Sequence, residues 1–150
     1  MDGNHQRSTI YGDSKYILAP MVEGSEPAFR LLTRKYNTEW CFTPMWHSTN
    51  FVQNSGYQKE TLNSLRQLEG CSDRPLTVQF CANKPEIFSE CVSILSKTYP
   101  EVAVDLNLGC PQGIAKRGHY KCVFEIIPVF LLKATLHQYK FADNKNQRIC

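Results

Sequence analysis

Apolar residues in this chain fall into short runs separated by amphipathic or polar stretches, and the alternation repeats four times. Tyr16-Ile17-Leu18-Ala19-Pro20-Met21 is the first run and predicts a buried strand. Pro20 ends it, because proline cannot donate to a sheet ladder. Gly24-Ser25-Glu26-Pro27 predicts a loop and helix start, with Ser25 as N-cap and Pro27 in the first turn. Ala28, Leu31, Leu32 and Tyr36 supply an apolar stripe for that helix. Trp40-Cys41-Phe42-Thr43 is a second strand, closed by Pro44. Trp46–Tyr57 is polar and predicts a loop, with or without a short helix; a weaker helix follows over Lys59–Leu68, then a turn-rich link over Glu69–Arg74. Pro75–Phe80 is a third strand, rich in β-branched residues. Lys84-Pro85-Glu86 opens a helix to about Thr98, with Ile87, Cys91, Ile94 and Leu95 on one face, and Val102–Leu106 is the fourth strand.

Strands alternating with helices predict βαβ units, a parallel sheet and right-handed crossovers. Four such units make the N-terminal half of a TIM (β/α)₈ barrel. A small doubly wound sheet is the alternative, but no G-x-G-x-x-G follows the first strand, which counts against a Rossmann nucleotide site. The 150 residues are too few for a whole barrel, which takes about 250. Residues 1–14 are read as a disordered leader, 15–120 as the partial barrel and 121–150 as a divergent tail with an atypical pattern. No stretch reaches the roughly 20 apolar residues of a membrane span.

Composition changes this picture little. A net charge of +3 tolerates a polyanionic partner without demanding one. The seven cysteines form no C-x-x-C pair, so no structural metal is expected. The N-terminus is polar and has no apolar signal region, so reduced thiols and a cytoplasmic or nuclear setting are expected.

Sites in parallel α/β folds assemble at the carboxyl ends of the strands. Four clusters fall there: Ala19-Pro20-Met21, Thr43-Pro44-Met45, Gln79-Phe80-Cys81 and Asn107-Leu108-Gly109-Cys110. An apolar floor with a few amides suits a planar heterocycle such as a flavin, and the Gln79 amide can both donate and accept. Taken singly, Met21 and Met45 are more often core residues, and a strand glutamine is more often just a satisfied polar group. The segment VAVDLNLGCPQGIAKRGHY, from Val102 to Tyr120, is the most informative. It holds Cys110 between Gly109 and Pro111 at a strand end, a placement for a reactive thiol acting as nucleophile or general acid. The alternative is a buried inert cysteine. Asn107 can aim its amide into the same space. Lys116, Arg117 and His119 follow, able to favour a thiolate or bind phosphate, or simply to form a solvated loop.

The same segment resembles the active-site signature of the tRNA-dihydrouridine synthases, and LNLGCPQGIAKRGHY is highly specific. Ala19-Pro20-Met21-Val22, Cys41-Phe42-Thr43-Pro44-Met45 and Arg74-Pro75-Leu76-Thr77-Val78-Gln79-Phe80-Cys81-Ala82 resemble the family's first three strands, in order and spacing. The AKRGHY ending and VQFCAN are most similar to the eukaryotic branch acting at positions sixteen and seventeen of the D-loop. The dihydroorotate dehydrogenases share an Asn-x-x-Cys-Pro strand end but lack the AKRGHY continuation. The resemblance implies a TIM-barrel flavoenzyme in which NADPH reduces FMN, and reduced FMN delivers hydride to C6 of a tRNA uracil. It implies Cys110 as the acid protonating C5, Asn107 positioning the base, and Ala19, Pro20, Met21 and Gln79 holding the flavin. Lys116, Arg117 and His119 would meet the RNA.

After Tyr120 the resemblance stops, and KCVFEIIPVFLLKATLHQYKFADNKNQRIC matches no barrel segment of the family. Lys133 and His137 therefore inherit no family role. The expectation is a chain truncated after the cysteine motif that binds FMN weakly and reduces uridine poorly or not at all. A non-catalytic isoform or interaction fragment is the alternative function.

Overall fold

A computed structural model describes residues 11–67 and 70–108. The elements are β1 (Ile17–Leu18), α1 (Pro27–Arg34), β2 (Trp40–Phe42), β3 (Trp46–His47), α2 (Ser48–Gln53), α3 (Ser55–Asn63), β4 (Leu76–Cys81), α4 (Pro85–Thr98) and β5 (Ala103–Leu106). Among the described strands the pairings are parallel: β1 with β2, β2 and β3 with β4, and β4 with β5.

The predicted second strand is present but broken. Thr77 of β4 pairs with both Phe42 and Ala103, and Phe80 pairs with both Trp46 and Leu106. Hence β2 and β3 lie on one edge of β4 and β5 on the other. From Phe42 to Trp46 the outer chain advances four residues while β4 advances three, from Thr77 to Phe80. That extra residue is a β-bulge. It sits at Thr43-Pro44-Met45, where Pro44 has no N–H to give the ladder. With β2 and β3 counted as one interrupted strand, each strand neighbours its predecessor and the order never reverses. This is the winding of a barrel, not of a doubly wound sheet, whose order reverses at a switch point. The architecture is the N-terminal portion of a TIM barrel.

Alternation along the strands sorts their side chains between two faces. On the helix-covered face, Cys41, Leu76, Val78 and Phe80 are 0% exposed and pack with Trp46, Phe51, Phe88, Cys91, Leu95 and Val102. Val104 and Leu106 join them. The rings form a chain: Phe51 meets Phe80 at 5.1 Å, Trp46 stacks on Phe51 at 5.8 Å, and Phe80 meets Phe88 edge-on at 6.5 Å. Such pairs add to plain area burial.

Three helix expectations are corrected. The stripe predicted for α1 does not face the core. Ala28, Leu32 and Tyr36 are exposed, Leu31 is half-buried, and the buried residue is Arg30, at 0%. Its guanidinium pairs with Asp73 at 2.7 Å and donates to the carbonyls of Ser25 and Ser64. Arg34 reaches the other Asp73 oxygen at 3.2 Å. An arginine at this spacing docks the helix by directional bonds, and hydropathy cannot see it. Ser25 is not the N-cap; Glu26 is, with no side-chain cap bond. The stretch read as loop and weak helix carries β3 and two helices, and α3 begins at Ser55 and ends at Asn63 rather than Leu68. The caps explain the division. His47 Nδ1 accepts from the Asn50 N–H, and Asn54 closes α2 while its side chain accepts from the Tyr57 N–H to open α3.

Candidate functional site at the carboxyl rim

The face of the sheet away from the helices mixes polar with apolar side chains where the first is apolar. Trp40, Phe42, Thr77, Gln79, Ala103 and Asp105 share it by register, with Thr77 level with Ala103 and Gln79 level with Asp105. Thr77 is 1% exposed and Gln79 7%, so their polar groups require partners. Each has them. The Trp40 Nε1–H donates to Thr77 Oγ1 at 2.8 Å. Gln79 Nε2 donates to Asp105 Oδ2 at 2.7 Å, and Asn107 Nδ2 donates to Gln79 Oε1 at 3.1 Å.

The bulge contributes directly. Thr43 N–H bonds the Thr77 carbonyl at 2.9 Å, and Thr43 Oγ1 accepts the Gln79 N–H at 3.2 Å while donating to the Pro44 carbonyl at 2.8 Å. The proline break would otherwise leave the Gln79 amide without its ladder partner. On the other side, the Asn107 N–H bonds the Phe80 carbonyl at 2.8 Å, carrying the ladder one residue past β5. Gln79 and Asn107 therefore stand on fixed backbone.

Because all strands are parallel, the carboxyl ends of β1, β2, β4 and β5 lie on one rim. The structure brings Ala19, Pro20 and Met21 to it from β1, Gln79 from β4 and Asn107 from β5. Ala19 is exposed, Pro20 half-buried and Met21 37% exposed. Ser25, expected as a cap, instead pins this loop: its Oγ accepts from the Met21 N–H at 2.9 Å and donates to the Met21 carbonyl at 3.2 Å. Gly24 has to be glycine here, since a Cβ on it would sit 2.8 Å from the Met21 Cβ. Cys110, Lys116, Arg117 and His119 lie outside the described residues.

Two contributors were not among the expected site residues. Asp105 anchors the amide pair; its signal was its place two residues before Asn107, on the same strand face. Tyr11, in the stretch read as leader, packs edge-on against Trp40 at 5.3 Å and lies 6.1 Å from Phe42. Burial, and then the Asp105 charge, raise its phenol above the usual range. Residues 11–13 form a turn, with the Ser14 N–H bonding the Tyr11 carbonyl.

Chemically, the rim offers a fixed amide pair from β4 and β5 and, following β1, a methionine and a proline. That donor set fits the carbonyl-bearing edge of a flat heterocycle lying over apolar groups. Among the described residues, no group of His, Cys, Asp and Glu could hold a metal ion, and no helix is long and apolar enough to cross a membrane.

A parallel βα sheet in unreversed order, with its amide groups at the carboxyl rim, has the outline of part of a (β/α)₈ barrel. The family model described as dihydrouridine synthase (Dus) matches residues 17–124, and the chain belongs to that family. It is 49% identical over 114 residues to the mouse (Mus musculus) tRNA-dihydrouridine(16/17) synthase [NAD(P)(+)]-like protein, covering 75% of this chain and 23% of that one. It is 49% identical over 105 residues to the Saccharomyces cerevisiae tRNA-dihydrouridine(16/17) synthase [NAD(P)(+)], covering 69% and 24%. The human (Homo sapiens) tRNA-dihydrouridine(20a/20b) synthase [NAD(P)+]-like protein is 36% identical over 96 residues, covering 64% and 28%. The chain spans about a quarter of the length of these relatives.

Proposed function

We propose that this chain carries the flavin-contacting and acid-bearing part of a tRNA-dihydrouridine synthase. The substrate is a uridine at position sixteen or seventeen of the tRNA D-loop, with FMN as cofactor and NADPH as reductant. The observation that carries the proposal is the Asn107–Gln79–Asp105 hydrogen-bond chain at the carboxyl rim, three residues before Cys110 in sequence. The greater similarity to relatives named for positions 16/17 than to those named for 20a/20b supports the choice of uridine.

Bound FMN would supply the hydride for C6 of the uracil. The remaining work falls to the chain's own residues. Gln79 binds the polar edge of the flavin, and Ala19, Pro20 and Met21 line its ring system. Asn107 orients the uracil by its amide. Cys110 holds on Sγ the proton that goes to C5. Lys116, Arg117 and His119 meet phosphates of the RNA. The base has to leave its stack to reach this rim. No metal or membrane takes part, and residues 15–120 form the working unit. A cytoplasmic or nuclear setting fits the free thiols of Cys41, Cys71, Cys81 and Cys91.

A second reading, a non-catalytic interaction fragment, draws on the exposed Tyr16, Val22, Leu32 and Tyr36 along β1 and α1. Quenching of FMN fluorescence by the purified chain, followed by mass spectrometry of tRNA incubated with it and NADPH, separates the two. Weak, saturable FMN binding that Gln79→Ala weakens about tenfold is expected, the effect of one lost hydrogen bond. Any dihydrouridine formed should vanish in Cys110→Ala while FMN binding persists. No binding and no product would leave the interaction fragment.

A further inference from the structure

We propose that Asp105 is a positioning residue: its carboxylate sets the direction in which Gln79, and through it Asn107, present their amides. This rests on the flavin and uracil reading above for its purpose, though not for its geometry. An ionised carboxylate only accepts hydrogen bonds. Gln79 therefore has to turn Nε2 toward Asp105, at 2.7 Å. Oε1 then faces the opposite way and accepts from Asn107 Nδ2 at 3.1 Å. One group without a donor sets the sense of two amides in series.

An amide needs such an anchor. Its terminal torsion is broad and roughly two-fold, so Gln79 and Asn107 could flip together and exchange their donor and acceptor ends. A ligand edge with a set order of carbonyl and N–H would then meet a mixture. The surroundings give Asp105 the leverage to prevent this. Register places it level with Gln79 on the same face. Thr43 Oγ1 holds the Gln79 backbone, so only the side chain is left to orient. Hydrogen bonds to a charged acceptor are roughly twice as strong as neutral ones. Asp105 also acts electrostatically on Tyr11, which closes the same face. With Oε1 turned to Asn107, the second N–H on Gln79 Nε2 is the group that meets a ligand. Gln79 thus presents this N–H to a ring carbonyl.

The test uses the 150-residue chain with ¹⁵N-labelled side-chain amides, as wild type, Asp105→Ala and Asp105→Asn, each checked by thermal melting. Asp105→Ala is expected to move the Gln79 NH₂ resonances toward solvent values and to shift those of Asn107. Asp105→Asn keeps the shape but can donate as well as accept. It is expected to split or broaden both amide pairs at an unchanged melting temperature, and it decides the matter if the alanine variant does not fold. A single unshifted Gln79 signal in either variant overturns the proposal whether or not FMN binds. Shifted or split signals uphold it. If the wild type then binds no FMN, the positioning role stands and the flavin reading is what fails. Where FMN does bind, Asp105→Ala should weaken it about tenfold, the loss of one ordered hydrogen bond.

Discussion

The two faces of β4 are almost equally buried and are built on opposite terms. Leu76, Val78 and Phe80 face the helices and pack in the apolar core; Thr77 and Gln79, between them in sequence, face the other way and are held by hydrogen bonds. Contact between apolar groups is non-directional, so the first face rewards volume and is indifferent to orientation. Hydrogen bonds specify which atom points where, so the second face stores the information a ligand can read. In a barrel this divides the labour: the outer layer supplies stability, and the inner layer, relieved of that task, can carry chemistry.

The largest expected effects test whether that division is real. Phe80→Ala removes the ring that Trp46, Phe51 and Phe88 all meet, and should cost about 3–5 kcal/mol in urea unfolding. Gln79→Leu, one residue away, should cost under about 2 kcal/mol, since the bonds it breaks are only part-buried. Its main consequence should be weaker FMN binding, by about tenfold or more. If Gln79→Leu destabilises as much as Phe80→Ala, the inner face is structural and the division fails.

How far the site was legible follows the same line. β-Branched residues in Pro75–Phe80 and apolar alternation in Val102–Leu106 announced the strands, and strand-end position then nominated Gln79 and Asn107. Asp105 was passed over because its one signal, the place two residues before Asn107, names a face and not a partner; the register that sets it opposite Gln79 reveals its part. Helix α4 was read nearly to its ends, since Cys91 and Leu95 do face the core, although Phe88 proved more buried than Ile87. Helix α1 misled, because the side chain that docks it is an arginine and the apolar ones lie outside. The bulge at Pro44 was half visible: the proline predicted the stop, but nothing local predicted that the strand resumes at Trp46.

Helix α1 supplies the next test, because it docks by directional bonds where α4 docks by contact. Asp73→Ala leaves the fully buried Arg30 without its counter-charge and takes a partner from Arg34. Breaking such a pair typically costs about 3–5 kcal/mol; two carbonyls still hold Arg30, so the lower end, about 3 kcal/mol, is expected by chemical denaturation. The corresponding change in α4, Cys91→Ala, should cost about 1 kcal/mol, since it removes little more than one buried sulfur. Burial pushes the Cys91 thiol up to about 12, so alkylation of the native chain should spare it and find the exposed Cys71. Rapid labelling of Cys91 in the folded state would show that α4 does not seal the outer layer.

The smallest expected effect concerns a residue that belongs to one face by register and to the other by role. His47 pairs with Cys81 and so lies on the polar side of the sheet, yet its ring works for the fold, capping α2 by accepting the Asn50 N–H on Nδ1. Burial holds the imidazole pKa below its ordinary 6.5. In the window between that depressed value and 6.5 the unfolded chain binds more protons, so stability rises with pH there and falls as pH drops through it. Protonation also removes the lone pair that makes the cap. The decline should be cap-sized, under about 1 kcal/mol, and is read as the difference between wild type and His47→Asn. Asparagine is a strong N-cap that does not titrate, so the variant should keep α2 and lose this part of the pH dependence. FMN binding should follow the same pH course in both proteins once compared at equal folded fraction. A pH-dependent gap in binding with no gap in stability would move His47 from the scaffold to the ligand site.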